Sequence, residues 1–259
     1  MNAKHERKSN KILLFFRILS IIVIIVCLIY IAHWYLENRK NANMINQIAE
    51  SSIIDTVYIE ISNEDDTETT QIPVYELDFE KLFEINRSTV GWIKVPNTTI
   101  DYPVAQSSDN SFYLTHSFDK SWNSAGWIFA DYRNKFDGTD KNIIIYGHNR
   151  MDSSMFATLS NTQKSEWYNN PTNKYITFTT PEKTYVYEVF SVYTIKSETY
   201  YLSTDFANDN AYLEFLNTIK KRSIHDFGVT LFSFDSILTL STCDATGKSR
   251  VILHAKQIM

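Results

Sequence analysis

The chain has 259 residues, 44% of them hydrophobic and 14% aromatic, with a formal net charge of −5. That charge is uneven: residues 1–17 carry +4, from Lys4, Arg7, Lys8, Lys11 and Arg17 against Glu6, and the remainder carries −9. An acidic body of this kind argues against nucleic acid as a partner.

The first element in chain order is an apolar run over residues 12–36, broken by Arg17 and His33. A bilayer crossing needs ~20 mostly apolar helical residues, which this run supplies. The basic residues ahead of it predict a cytoplasmic N-terminus, with everything beyond the run outside the membrane. A cleavable signal would have an apolar region of only ~7–15 residues followed by a small-residue site. Here the run is longer and ends in Trp34-Tyr35-Leu36, an interfacial anchor. The expected organisation is therefore a cytoplasmic tail (1–11), an uncleaved signal anchor (12–36), an extracellular helix and linker (37–75), and one domain over 76–259. Within the linker, the acidic stretch 63–68 reads as a solvated loop rather than a metal site.

Asp78 predicts an N-cap for a short helix over 79–86. Beyond Gly91 the chain turns to short runs rich in Val, Ile, Tyr, Phe and Thr, separated by Asn, Asp, Gly and Pro. These predict strands over 92–95, 100–105, 127–130, 142–146, 174–179, 184–194, 237–242 and 250–256. Helical stretches are expected over 154–168 and over 210–221, the second with Tyr212, Leu213, Phe215, Leu216 and Ile219 at helical spacing and Asp209 as its cap. About eight strands with few helices predict a mainly β fold, a closed or nearly closed barrel with helical insertions.

There are two cysteines, Cys27 in the apolar run and Cys243 near the C-terminus. Lying on opposite sides of the expected membrane, they cannot pair. Cys243 is then a free thiol in a compartment where thiols become disulfides, which calls for a chemical role. Flanking Ser241, Thr242 and Asp244 make it a poor candidate for a merely apolar cysteine. A cysteine nucleophile needs a histidine partner and a donor for the developing oxyanion. Of the histidines beyond the membrane run, His116, His148, His225 and His254, the second stands out. It emerges at the end of the strand-like run Ile143-Ile144-Ile145-Tyr146, just after Gly147. Arg250 begins the last predicted strand, and a short turn would set it opposite Cys243. Its guanidinium offers a fork of donors at any pH. Taken alone, His148 is equally compatible with a structural role, and the spacing of Arg250 favours a strand-end arginine paired with a surface acid.

Together they resemble the sortases, cysteine transpeptidases that attach proteins to the cell wall of Gram-positive bacteria. The resemblance rests on Thr239-Leu240-Ser241-Thr242-Cys243 followed by Arg250, with His148 upstream. The class B branch matches best, over roughly 75–256. Its motifs are similar to the segments 90–96, 100–104, 109–114, 126–134 and 142–149, and to Met155-Phe156. The resemblance implies a β-barrel of about eight strands with an N-terminal helix and an added helix before the last strands. It implies a catalytic trio of His148, Cys243 and Arg250, cleavage of a sorting signal after threonine through a thioester, and transfer to an amino group of peptidoglycan or its lipid-linked precursor. It further implies substrate contacts from Asn110, Leu114, Tyr201, Leu202, Ser241, Thr242 and Asp244, with no metal and no cofactor. An extracellular cysteine hydrolase of wall peptides and a non-enzymatic wall-binding domain are the alternative readings.

Overall fold

The computed structural model describes residues 2–62, 69–196, 198–243 and 249–259, and the side chains within them except those of 2–12, Ser62 and Cys243. The chain divides into two units, Met1–Met44 and Ile45–Met259. The first is helical, part of a helix α1 (Asn2–Ser52). Its apolar side chains between Leu13 and Leu36 are exposed, and the helix is long and apolar enough to cross a membrane by length and composition.

Among the described residues the second unit holds ten strands. Eight of them, β3 (Thr89–Lys94), β4 (Asp101–Gln106), β5 (Phe129–Ala130), β6 (Asn142–Gly147), β7 (Tyr175–Thr179), β8 (Thr184–Lys196), β9 (Ile237–Cys243) and β10 (Ser249–Gln257), close a barrel in the order β10-β8-β7-β3-β4-β5-β6-β9. The pairs β4–β5 and β6–β9 are parallel and the others antiparallel. Closure leaves the barrel no open edge. Large side chains, among them Trp127, Tyr113, Phe178 and Tyr187, are fully buried.

Three expectations differ from what forms. Residues 53–62 and 69–77 are not linker. They form β1 (Ile53–Ser62) and β2 (Thr69–Leu77), an antiparallel pair in a two-stranded sheet of their own. Ile59, Ile61, Ile72 and Val74 alternate along these strands and pack on Tyr175 of β7 and Val186 of β8. That is the period-two pattern of a half-buried strand. The acidic stretch 63–68 lies outside the described residues.

The helix expected over 154–168 is replaced by a 3-10 stretch, Ala157–Gln163, and a short α3 (Ser165–Tyr168). Ser153 and Met155 carry φ of 63° and 55°, values that a right-handed helix cannot accommodate. Lys164, at φ −91° and ψ 144°, interrupts it again.

The helix near 210 is present as α4 (Asp209–Lys221), but its cap is Asn208, whose side chain accepts from the Ala211 amide at 2.9 Å. Asp209 falls in the first turn instead, where its charge suits the helix dipole. The face of Tyr212, Leu216 and Ile219 is buried against Phe190, Tyr193 and Ile252, each such side chain contributing roughly 1.5–3 kcal/mol of transfer free energy. The predicted helix at 79–86 forms as α2 (Phe79–Ile85), with Asp78 capping Lys81.

Candidate active site

The register of three strands sets the site. Parallel pairing of β6 with β9 aligns Gly147 with Thr242, so the next residues, His148 and Cys243, stand level. Antiparallel pairing of β9 with β10 aligns Cys243 with Arg250. The three backbones therefore meet at one end of three adjacent strands, each step being ~4.8 Å.

The His148 ring is set by its surroundings. Its Nε2 lies 2.9 Å from the Leu114 carbonyl oxygen. A carbonyl only accepts, so Nε2 carries the proton and Nδ1 is the nitrogen left to accept one. Gly126 makes room for this arrangement. It sits at φ +61°, and a Cβ there would lie 2.5 Å from the Tyr113 carbonyl oxygen, 2.8 Å from that of Leu114 and 2.9 Å from His148 Cδ2. Gly147 is as tightly enclosed, its would-be Cβ 2.6 Å from both Ile128 and Phe156. On the other side of Cys243, Arg250 is half-buried, and its Nε is buried without a hydrogen-bond partner among the described residues.

A cavity of about 280 Å³ opens here, lined by Asn110, Leu114, Phe129, Tyr146, Gly147, His148, Leu202, Ser241 and Arg250. Six of the expected site residues thus share one wall system: Asn110, Leu114, His148, Leu202, Ser241 and Arg250. Tyr201 and Thr242 do not line it. Tyr201 is fully buried and its hydroxyl meets Ser241 Oγ at 2.9 Å, so it supports the wall from behind. Thr242 is 2% exposed. Asp244 lies outside the described residues.

Phe129 and Tyr146 were not anticipated on the wall. Tyr146 is two residues before His148 on a strand, hence on the same face, a signal open to the sequence. Behind the wall lies Asp131, fully buried. Its carboxylate accepts from Arg133 Nε (2.8 Å) and Nη2 (2.7 Å), Asn110 Nδ2 (2.9 Å) and the Tyr146 hydroxyl (2.8 Å). Burial alone would push this carboxyl up, but bonds from Arg133, Tyr146 and Asn110 outweigh it and hold the carboxyl below its ordinary value. Burial, followed by the charge of Asp131, pushes the Tyr146 hydroxyl up, so it stays protonated and donating.

The other candidate histidines are engaged elsewhere. His116 stacks on Phe112 with ring centroids 4.0 Å apart, and His225 on Tyr168 at 4.1 Å. His254 is fully buried between Tyr193 and Thr239.

Comparison with known proteins identifies the family and the fold. The Sortase domain family matches residues 93–258. Sortase B of Listeria monocytogenes is 38% identical over 181 residues, 68% of this chain and 72% of that protein. The crystal structure of Clostridium perfringens sortase B superposes with a TM-score of 0.66 at 36% identity, covering 70% of this chain and 100% of that one. A Staphylococcus aureus sortase B–substrate complex gives 0.65 at 38% identity, covering 70% of this chain and 84% of that one. With its barrel and these relatives in agreement, the chain belongs to the sortase family of cysteine transpeptidases, in the class B branch.

Proposed function

We propose that Cys243 is the nucleophile, His148 the acid and base, and Arg250 the oxyanion donor of a transpeptidation on sorting-signal-bearing surface proteins. The observation that carries this reading is the alignment of His148, Cys243 and Arg250 on β6, β9 and β10 at the mouth of one cavity.

In the first half-reaction the Cys243 thiol gives its proton to His148 Nδ1, and the resulting thiolate adds to the carbonyl carbon after a threonine. Arg250 holds the oxygen as it gains charge, supported by its buried Nε, which has no hydrogen-bond partner among the described residues. Collapse breaks the C–N bond, and the departing amine takes a proton from His148. The Leu114 carbonyl already binds Nε2–H, so the proton in transit belongs to Nδ1. The thioester holds the N-terminal part of the substrate.

In the second half-reaction His148 Nδ1 removes a proton from an incoming amine. That amine attacks the thioester and returns the thiolate. The acceptor is an amino group of a peptidoglycan stem peptide or its lipid-linked precursor, and water substitutes slowly. Asn110, Leu114, Leu202 and Ser241 contact the signal from the cavity wall. Residues 12–36 anchor the enzyme in the membrane, N-terminus inside and barrel outside, which places the thiol where secreted substrates and wall precursors meet.

The test is incubation of residues 37–259 with Thr-containing sorting peptides and an amine acceptor. The wild-type protein yields the ligated product and a thioester adduct by mass spectrometry. Cys243→Ala yields neither, and equal cleavage by both would end the proposal.

A further inference from the structure

Arg133 reaches two separate parts of the cavity wall. Its Nε and Nη2 form a fork on the Asp131 carboxylate, and Nη2 also donates to the Leu202 carbonyl at 2.9 Å. Leu202 belongs to the 3-10 turn Tyr200–Leu202, which follows β8. Asp131 Oδ2 in turn accepts from Asn110 and from Tyr146. Asn110 is held at its other end as well, its Oδ1 accepting from the Tyr132 amide at 3.0 Å. Three wall residues from three distant segments, Asn110, Tyr146 and Leu202, are therefore tied to one ion pair.

The pair suits this task. The Asp131 side chain is fully buried, while that of Arg133 is 35% exposed at the rim. A bidentate fork fixes direction as well as distance, which a lysine ammonium cannot reproduce. Without Arg133 the buried carboxylate would lose two donors and Leu202 its tether. Asn110 and Tyr146 would then face a carboxylate free to turn or to take up a proton.

We infer that Arg133, acting through Asp131, is a positioning residue for sorting-signal recognition, locking Asn110, Tyr146 and Leu202 into a single preformed wall. It touches neither the reacting carbonyl nor the thiol. Its removal therefore weakens capture of the signal peptide and loosens discrimination among signals, while leaving the chemistry intact. This rests on the proposed transpeptidation.

The experiment uses Arg133→Met, which keeps the side-chain length, and Arg133→Lys, which keeps the charge. The probe is the Thr-containing pentapeptide that the wild-type protein cleaves fastest in a screen. In Arg133→Met we expect KM to rise about tenfold, equivalent to the loss of ~1.4 kcal/mol of binding. The turnover number should stay within about threefold of wild type. Alkylation of Cys243 by iodoacetamide should proceed at the wild-type rate. Arg133→Lys should fall between. A second measurement avoids turnover altogether. Pentapeptide affinity for Cys243→Ala, read by fluorescence titration, should drop about tenfold when Arg133→Met is added. An unchanged KM and affinity, or a fall in turnover with KM unchanged, would overturn the assignment. A wild-type protein that cleaves no sorting peptide would instead refute the proposed function, an outcome distinct from either.

Discussion

At the scale of single residues, the site depends on where side chains are missing as much as on where they are present. Gly126 is the sharpest case. Its φ of +61° is costly for any other residue, and its missing Cβ leaves the space where the Leu114 carbonyl and the His148 ring meet. Gly126→Ala must therefore displace the partner that sets the imidazole tautomer. Gly138 provides the control, since it also has positive φ, +83°, but nothing lies within 4 Å of its would-be Cβ. Both alanine variants should lose about 1–2 kcal/mol of stability from backbone strain. Only Gly126→Ala should also lose at least about tenfold in turnover, the range over which a misplaced general acid–base costs rate. Steady-state kinetics on the two folded variants decides it. Equal activity in both would show that the Leu114–His148 contact does not orient the ring.

At the scale of elements, legibility followed periodicity. The eight barrel strands and α4 were readable because Val, Ile, Tyr and Phe recur at period two or at helical spacing. The hairpin β1–β2 carries the same alternation in Ile59, Ile61, Ile72 and Val74, but the acidic stretch between its strands masked it as a linker. The failed helix at 154–168 shows the opposite limit. Composition gave no sign that Ser153 and Met155 adopt positive φ, because these values belong to a tight return towards His148, closed by the hydrogen bond that the Phe156 N–H donates to the His148 carbonyl. The trio His148, Cys243 and Arg250 was proposed from the resemblance, and strand register brings the three positions level. Asp131 and Arg133 were not, because their importance lies in hydrogen bonds to segments 21 and 69 residues away. The hairpin offers its own test. Ile72 is 2% exposed and packs on Tyr175 and Val186, so Ile72→Ala should cost roughly 2–4 kcal/mol in urea unfolding. Val186 stands nine residues along β8 from Ile195, the partner of Arg250, or ~30 Å at strand rise. Peptide turnover by Ile72→Ala should therefore match wild type, and a matched loss of turnover would mean that the hairpin supports the site.

At the scale of the whole molecule, one buried histidine ties four barrel strands together. Thr239 of β9 donates to Asn142 Oδ1 of β6 at 2.7 Å, so its oxygen must accept from His254 Nδ1–H, 2.9 Å away on β10. His254 Nε2 is then the acceptor for the Tyr193 hydroxyl of β8 at 3.0 Å. Asn142 extends the chain to the carbonyl of Ser203, beside the turn that supplies Leu202. The link in which Nε2 accepts from Tyr193 requires a neutral ring, and complete burial pushes the imidazole down to about 3. In the unfolded chain the same group titrates near ~6.5. Between these values the unfolded state binds a proton that the native state refuses, so stability is intact above about 6.5 and declines as pH falls. From pH 7 to pH 5 this one group should remove ~2 kcal/mol of unfolding free energy. Asp131 does not confuse the reading, because its carboxyl lies below its ordinary value of 3.8 and its own contribution fades only in stronger acid. His254→Gln should be less stable than wild type at pH 7 yet lose less on acidification, so the two urea midpoints converge towards pH 5. Parallel curves would mean that the imidazole is reached by protons in the folded barrel, and that the four strands are held by packing rather than by this chain of hydrogen bonds.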